Sequence, residues 1–184
     1  MHRGRQILSP ERFNITLKRL ASQIVENYLD SEELLIVGIQ EKGVILAERL
    51  IEIINDIEPK RKIFFGKLDI TFYRDDFRMR QTPLTANATQ VDFNIDSKRI
   101  LLIDDVLYTG RTIHAALSAL QDFGRPSKVE LLTMVDRRFN RHLPIKSDYT
   151  GIQVDALDDA YVRVQWEHLD GEDKVLIFSA NTND

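Results

Sequence analysis

Ile100-Leu101-Leu102-Ile103-Asp104-Asp105-Val106-Leu107-Tyr108-Thr109-Gly110-Arg111-Thr112 is the stretch from which the rest of the chain can be read. Its four leading apolar residues show no polar alternation, the pattern of a strand buried on both faces of a parallel sheet. Two adjacent acids end that run. Ile113, Ala116, Leu117, Leu120 and Phe123 then recur at helical spacing until Gly124 and Pro126. The predicted unit is strand, acidic pair, small-residue turn, helix. Unpaired N–H groups and the helix dipole favour an anion at such a turn. Gly110 removes a Cβ from its path, and Thr109 and Thr112 add hydroxyls. Asp104 and Asp105 repel a phosphate, but they accept hydrogen bonds from sugar hydroxyls and can help hold a hydrated Mg2+. The combination suits a sugar phosphate. An ordinary strand–helix junction with a threonine cap fits the same spacing.

A similar unit precedes it. Leu34-Leu35-Ile36-Val37 is a second buried-strand run, and Ala47, Leu50, Ile51 and Ile54 mark one face of the helix that follows. Between them lie Lys42 and Gly43, in either a second phosphate loop or a plain surface loop. Upstream, Ser9-Pro10-Glu11 is a helix start, with a capping hydroxyl, proline in the first turn and an acid at the positive end. Ile63-Phe64-Phe65 opens a longer strand-like segment running to Tyr73, with Leu68, Ile70 and Phe72 on a buried face. The polar sequence after it predicts a flexible loop, or a loose hairpin, over about 74–98. Val129 to Val135 is another strand, followed by the basic cluster Arg137, Arg138 and Arg141, which taken alone reads as a solvated loop. Val162, Val164 and Trp166 share a strand face, and Val175 to Phe178 form a last short strand.

The 184 residues suffice for one domain with a substantial core, and no internal repeat or low-complexity linker divides them. A hydrophobic share of 43% and a charged share of 29% are those of a soluble globular protein. With no cysteine there is no disulfide framework and no thiolate metal site. No apolar run approaches a membrane span and no signal peptide is evident, so a cytoplasmic location is expected. A net charge of −4 gives no global attraction to nucleic acid, so RNA binding would need a local basic face.

Residues 103–112, Ile-Asp-Asp-Val-Leu-Tyr-Thr-Gly-Arg-Thr, closely resemble the phosphoribosyl-pyrophosphate (PRPP) motif of the type I phosphoribosyltransferases. Tyr108-Thr109-Gly110-Arg111 is similar to the branch that combines uracil phosphoribosyltransferase activity with regulation of pyrimidine operons. Residues 69–76, Asp-Ile-Thr-Phe-Tyr-Arg-Asp-Asp, carry the resemblance further, as do Val135-Asp136-Arg137 and the run from Leu143 to Tyr149. It therefore covers most of the chain.

The resemblance implies an α/β fold with a central, mostly parallel sheet flanked by helices. It also implies a small hood from about 145–184, including Tyr149 to Ile152, within a single domain over 1–184. It implies that Asp104 and Asp105 fix the ribose hydroxyls and, through water and PRPP, Mg2+. Lys42 and Gly43 would hold the pyrophosphate, and Tyr73 and Arg74 would close over PRPP. Val106, Leu107, Tyr108, Thr109, Gly110, Arg111 and Thr112 would hold the 5′-phosphate, and Arg137, Ile152 and Val162 would meet the base. The implied reaction converts PRPP and uracil to UMP and pyrophosphate. The implied partners include the mRNA leader of a pyrimidine operon, met by Lys18 and Arg19 or by Arg138 and Arg141, and further copies of the chain in a homodimer or larger homo-oligomer. Three departures from the family pattern stand out: Glu41-Lys42-Gly43 replaces Thr-Arg-Gly, the segment from Arg138 to His142 is longer, and residues 155–159 are more acidic. A regulator with little catalysis, or transfer to another base, are the alternatives; an enzyme is the preferred reading.

Overall fold

The computed structural model describes residues 4–74, 88–155 and 160–178. Five parallel strands form the main sheet in the order β3-β2-β4-β5-β6, where β2 is Glu33–Ile39, β3 Lys62–Leu68, β4 Arg99–Leu107, β5 Lys128–Arg137 and β6 Tyr149–Val154. Helices α1 (Pro10–Asn27) and α2 (Lys42–Ile57) cover one face, and α3 (Arg111–Leu120) covers the other. Alternation along β4 makes this possible. Leu101 and Ile103 enter the core beneath α1 and α2, while Ile100 and Leu102 enter the core beneath α3. The uninterrupted apolar run is thus two buried faces interleaved.

Local chemistry sets the helix ends. Ser9 caps α1 by accepting a hydrogen bond from the Arg12 N–H at 3.4 Å, with Pro10 in the first turn. The helix packs inward through Phe13, whose ring meets Trp166 edge-on at 5.4 Å. Helix α3 starts at Gly110, which takes φ +91°, a conformation that other residues adopt only at a cost.

The hood is a separate antiparallel sheet in the order β1-β8-β7, with β1 Arg5–Leu8, β7 Tyr161–Gln165 and β8 Lys174–Phe178; a short helix, α4 (Glu167–Asp170), lies between β7 and β8. Several sequence expectations are corrected here. Tyr149 to Ile152 belong to β6, paired parallel to β5 at the edge of the main sheet, and not to the hood. The hood in turn includes an N-terminal strand that four residues of weak alternation do not announce. The strand expected to reach Tyr73 stops at Leu68, and Thr71–Tyr73 is a 3-10 turn that leaves Phe72 69% exposed. Of the loop expected over 74–98, residues 75–87 lie outside the described residues. Its last part is built into the fold: Gln90 bridges to Lys67, and Ile95 is fully buried with the α3-side core. No helix among the described residues is long and apolar enough to cross a membrane.

Candidate active site

The carboxyl ends of β2, β4 and β5 meet in one place. Strand β4 extends past its apolar run to include both acids, with Asp104 7% exposed. Burial, reinforced by the neighbouring Asp105 charge, pushes the Asp104 carboxyl up to about 8. The Asp105 N–H at 2.9 Å and the charges of Lys42 and Arg74 oppose this only in part. Burial also raises Asp105, and Lys42 pulls it back. Lys42 Nζ lies 3.6 Å from Asp105 Oδ2 and donates to the Val164 carbonyl at 3.4 Å. One cation thus links the α2 entrance, the acidic pair and the hood.

Gly43 is required by contact. A Cβ there would stand 2.3 Å from the Ile103 carbonyl oxygen and 3.1 Å from Asp104 Cα. The first turn of α2 therefore lies directly against the strand end that carries the acids. Gly110, Arg111 and Thr112 open α3 beside the same strand end, and the Arg111 N–H donates to Thr109 Oγ1 at 3.4 Å. Leu107 is buried in the α3-side core, so only its main chain can face a ligand, whereas Val106 is half-buried. Arg74 follows the 3-10 turn near enough for its charge to act on Asp104. Tyr73 points its hydroxyl away, donating to Asp122 beyond the end of α3.

At the end of β5, Arg137 is only 4% exposed, its guanidinium 3.7 Å from the centroid of the Tyr108 ring. Its Nε and Nη2 are buried without a hydrogen-bond partner among the described residues. A guanidinium left in that state is complementary to an acceptor-bearing ligand. Ile152 is half-buried on β6, while Val162 is 5% exposed within the core that also holds Val164, Trp166 and Val175.

The cations expected to meet RNA each have a defined surrounding among the described residues. Arg138 is paired with Asp155, and Arg141 is held internally by Asp136 and the Tyr108 carbonyl. Arg19 donates to the Thr150 carbonyl at 3.2 Å and the Gly151 carbonyl at 2.5 Å, covering the free edge of β6. Lys18 is exposed on α1. These guanidiniums found acceptors distant in sequence, which no local pattern signals. The roles of Asp122 and the Val164 carbonyl were missed for the same reason.

Residues 4–170 match the phosphoribosyl transferase domain model. The chain is 43% identical over 173 residues to the bifunctional protein PyrR of Elusimicrobium minutum, covering 94% of this chain and 96% of that protein. It is 44% identical over 177 residues to PyrR of Desulfosudis oleivorans, covering 96% and 97%. It is 40% identical to PyrR of Chloroflexus aurantiacus over the full length of both. In fold it is similar to a hypoxanthine-guanine phosphoribosyltransferase of Bacillus anthracis, with a TM-score of 0.71 at 17% identity, covering 97% of this chain and 99% of that one. The hypoxanthine phosphoribosyltransferase of Trypanosoma cruzi gives 0.71 at 13% identity, covering 96% and 97%.

Proposed function

The chain belongs to the phosphoribosyl transferase family and, within it, to the bifunctional PyrR proteins, and from that membership we propose that it makes UMP and pyrophosphate from PRPP and uracil and also binds a pyrimidine-gene transcript. The observation that carries the catalytic reading is the pairing of two surfaces. An acidic pair stands beside a helix entrance at the end of β4, and a buried guanidinium with unpaired donors ends the adjacent strand β5 over Tyr108.

In this reading the α3 entrance, Thr109 to Thr112, holds the 5′-phosphate through main-chain N–H groups and hydroxyls. Asp104 and Asp105 accept hydrogen bonds from the ribose hydroxyls and orient C1′. Lys42 and Arg74 meet the pyrophosphate, whose negative charge grows as the C1′–O bond breaks and the bond from the uracil nitrogen to C1′ forms. Lys42 supplies a point charge where an arginine would supply a fork. Arg137 donates to a carbonyl oxygen of the base above the Tyr108 ring, with Ile152 and Val162 supplying apolar surroundings.

Among the described residues no three or more His, Cys, Asp or Glu converge as a metal cage. Two buried carboxylates are a fitting partial donor set for Mg2+, which commonly keeps its waters and shares substrate phosphates. When bound, Mg2+ would neutralise the pyrophosphate charge. RNA contact is assigned to the Lys18 side of α1 in a homodimer or larger homo-oligomer.

Incubating PRPP with uracil, hypoxanthine, guanine and orotate side by side tests the enzyme. UMP as the dominant product is expected, and a dominant purine or orotate product overturns the assignment. Gel-shift titration of the pyrimidine-gene leader tests the regulator. UMP-enhanced binding is expected, and affinity no greater than for generic RNA refutes it.

A further inference from the structure

We infer that Arg141 is a positioning residue that locks the base side of the site to the phosphate turn. This rests on the phosphoribosyltransfer reading above. The elements joined are the end of β5, which carries Arg137, and the turn after β4, which carries Tyr108 to Thr112. Arg137 and Tyr108 form the stacked pair at 3.7 Å. Stacking alone leaves the two free to slide, because a ring face offers no directional bond. Arg141 supplies direction: one terminal nitrogen donates to the Tyr108 carbonyl and the other to Asp136 Oδ1, with the Arg137 carbonyl at 3.4 Å from the latter. A single planar fork therefore grips the main chain of one stacking partner and the residues around the other.

The grip continues along the loop. The His142 and Leu143 N–H groups both donate to the Thr109 carbonyl, at 3.0 and 3.2 Å. Leu143 and Ile145 lie 3.4 and 3.3 Å from where a Cβ on Gly110 would stand. Asn140, at φ +68°, makes the left-handed turn that brings Arg141 back toward β5. The Arg141 side chain is 19% exposed and the Asp136 side chain 10%, so the ion pair is shielded and its geometry specific. The phosphate turn and the base-side guanidinium are thus tied together through Arg141, whose terminal nitrogens are committed to protein oxygens.

Steady-state kinetics of Arg141→Ala and Arg141→Lys test this. Both variants are expected to raise the KM for uracil about tenfold and that for PRPP less, with the smaller change in kcat. Lysine is expected to fail because one ammonium cannot serve two separated acceptors. Free guanidinium at low concentration is expected to restore Arg141→Ala, a response that general loss of stability would not give. Asp136→Asn is the second variant. It keeps the shape, is expected to raise the same KM values more weakly, and should show non-additivity with Arg141→Ala. Unchanged KM values in Arg141→Ala, or full activity in Arg141→Lys, overturn the inference. A wild-type protein without uracil phosphoribosyltransferase activity overturns the functional reading instead, and is seen before any variant is made.

Discussion

Replacing Asp104 by Asn is expected to make the protein more stable and less able to bind PRPP. The carboxyl is pushed from an ordinary 3.8 up to about 8, first by burial and second by Asp105. Below pH 3.8 it is neutral in both folded and unfolded chains and contributes nothing. As pH rises, the unfolded chain ionises first, so stability falls until about pH 8, where the folded chain ionises too. At pH 7 the deficit is at most ~4 kcal/mol by linkage. Local relaxation, expressed as an effective dielectric near ~20, reduces this to ~1–2 kcal/mol. Asparagine is neutral at every pH and can still accept the Asp105 N–H, so it removes that penalty. For a chain of this size the gain corresponds to a melting rise of about 3–6 °C. Thermal unfolding of both proteins in magnesium-free buffer from pH 4 to 9 reads it. The difference should be near zero at pH 4 and largest above pH 8. Calorimetric titration with PRPP and Mg2+ above pH 8, where the folded carboxyl is ionised, should show affinity reduced by about tenfold or more, the loss expected when a charged acceptor of sugar hydroxyls is neutralised. A variant less stable than wild type at pH 8, or a difference that does not vary with pH, refutes the reasoning.

Gly43→Ala forces a Cβ to 2.3 Å from the Ile103 carbonyl, so the loop must retreat by roughly 1 Å; PRPP affinity should drop about tenfold, and normal affinity by calorimetry would remove the close-approach argument. Glu130→Gln tests the opposite end of the sheet. Burial alone would raise this carboxyl, but hydrogen bonds from Arg99, Lys128 and Tyr28 hold it at about 2. Its stabilisation is therefore present above pH 4.5 and lost as pH falls toward 2. The variant should be less stable by about 1–3 kcal/mol at pH 7 in urea unfolding, and the gap should close through that acidic window. Arg19→Ala uncovers the β6 carbonyls of Thr150 and Gly151 and should cost about 1 kcal/mol of stability with leader-RNA affinity retained. A lower RNA affinity with a shallower salt dependence would return Arg19 to the RNA face.

Much was legible because the information was local. An unbroken apolar run has few folded uses besides a strand with two buried faces, so β2 and β4 could be read from residues that adjoin in sequence. The N-terminal end of α1 was legible because Ser9, Pro10 and Glu11 act on the same helical turn. The strand–acid–turn–helix order of residues 100–120 was legible because helix entrances bind anions through their own backbone. Only tertiary structure could decide matters in which the partners are far apart along the chain. Sheet order placed Tyr149 to Ile152 beside β5 and recruited Arg5–Leu8 into the hood, because pairing depends on which edge is free after the core has packed. Charge alone marked Arg19 and Arg141 as surface cations. The fold supplied each with fixed oxygen acceptors, carbonyls in one case and a carbonyl with a carboxylate in the other, and Arg141, its side chain only 19% exposed, becomes part of the framework. Burial at the end of β4 likewise turned two ordinary aspartates into a pair that resists ionisation, because desolvation depends on what surrounds a carboxyl and not on its neighbours in sequence.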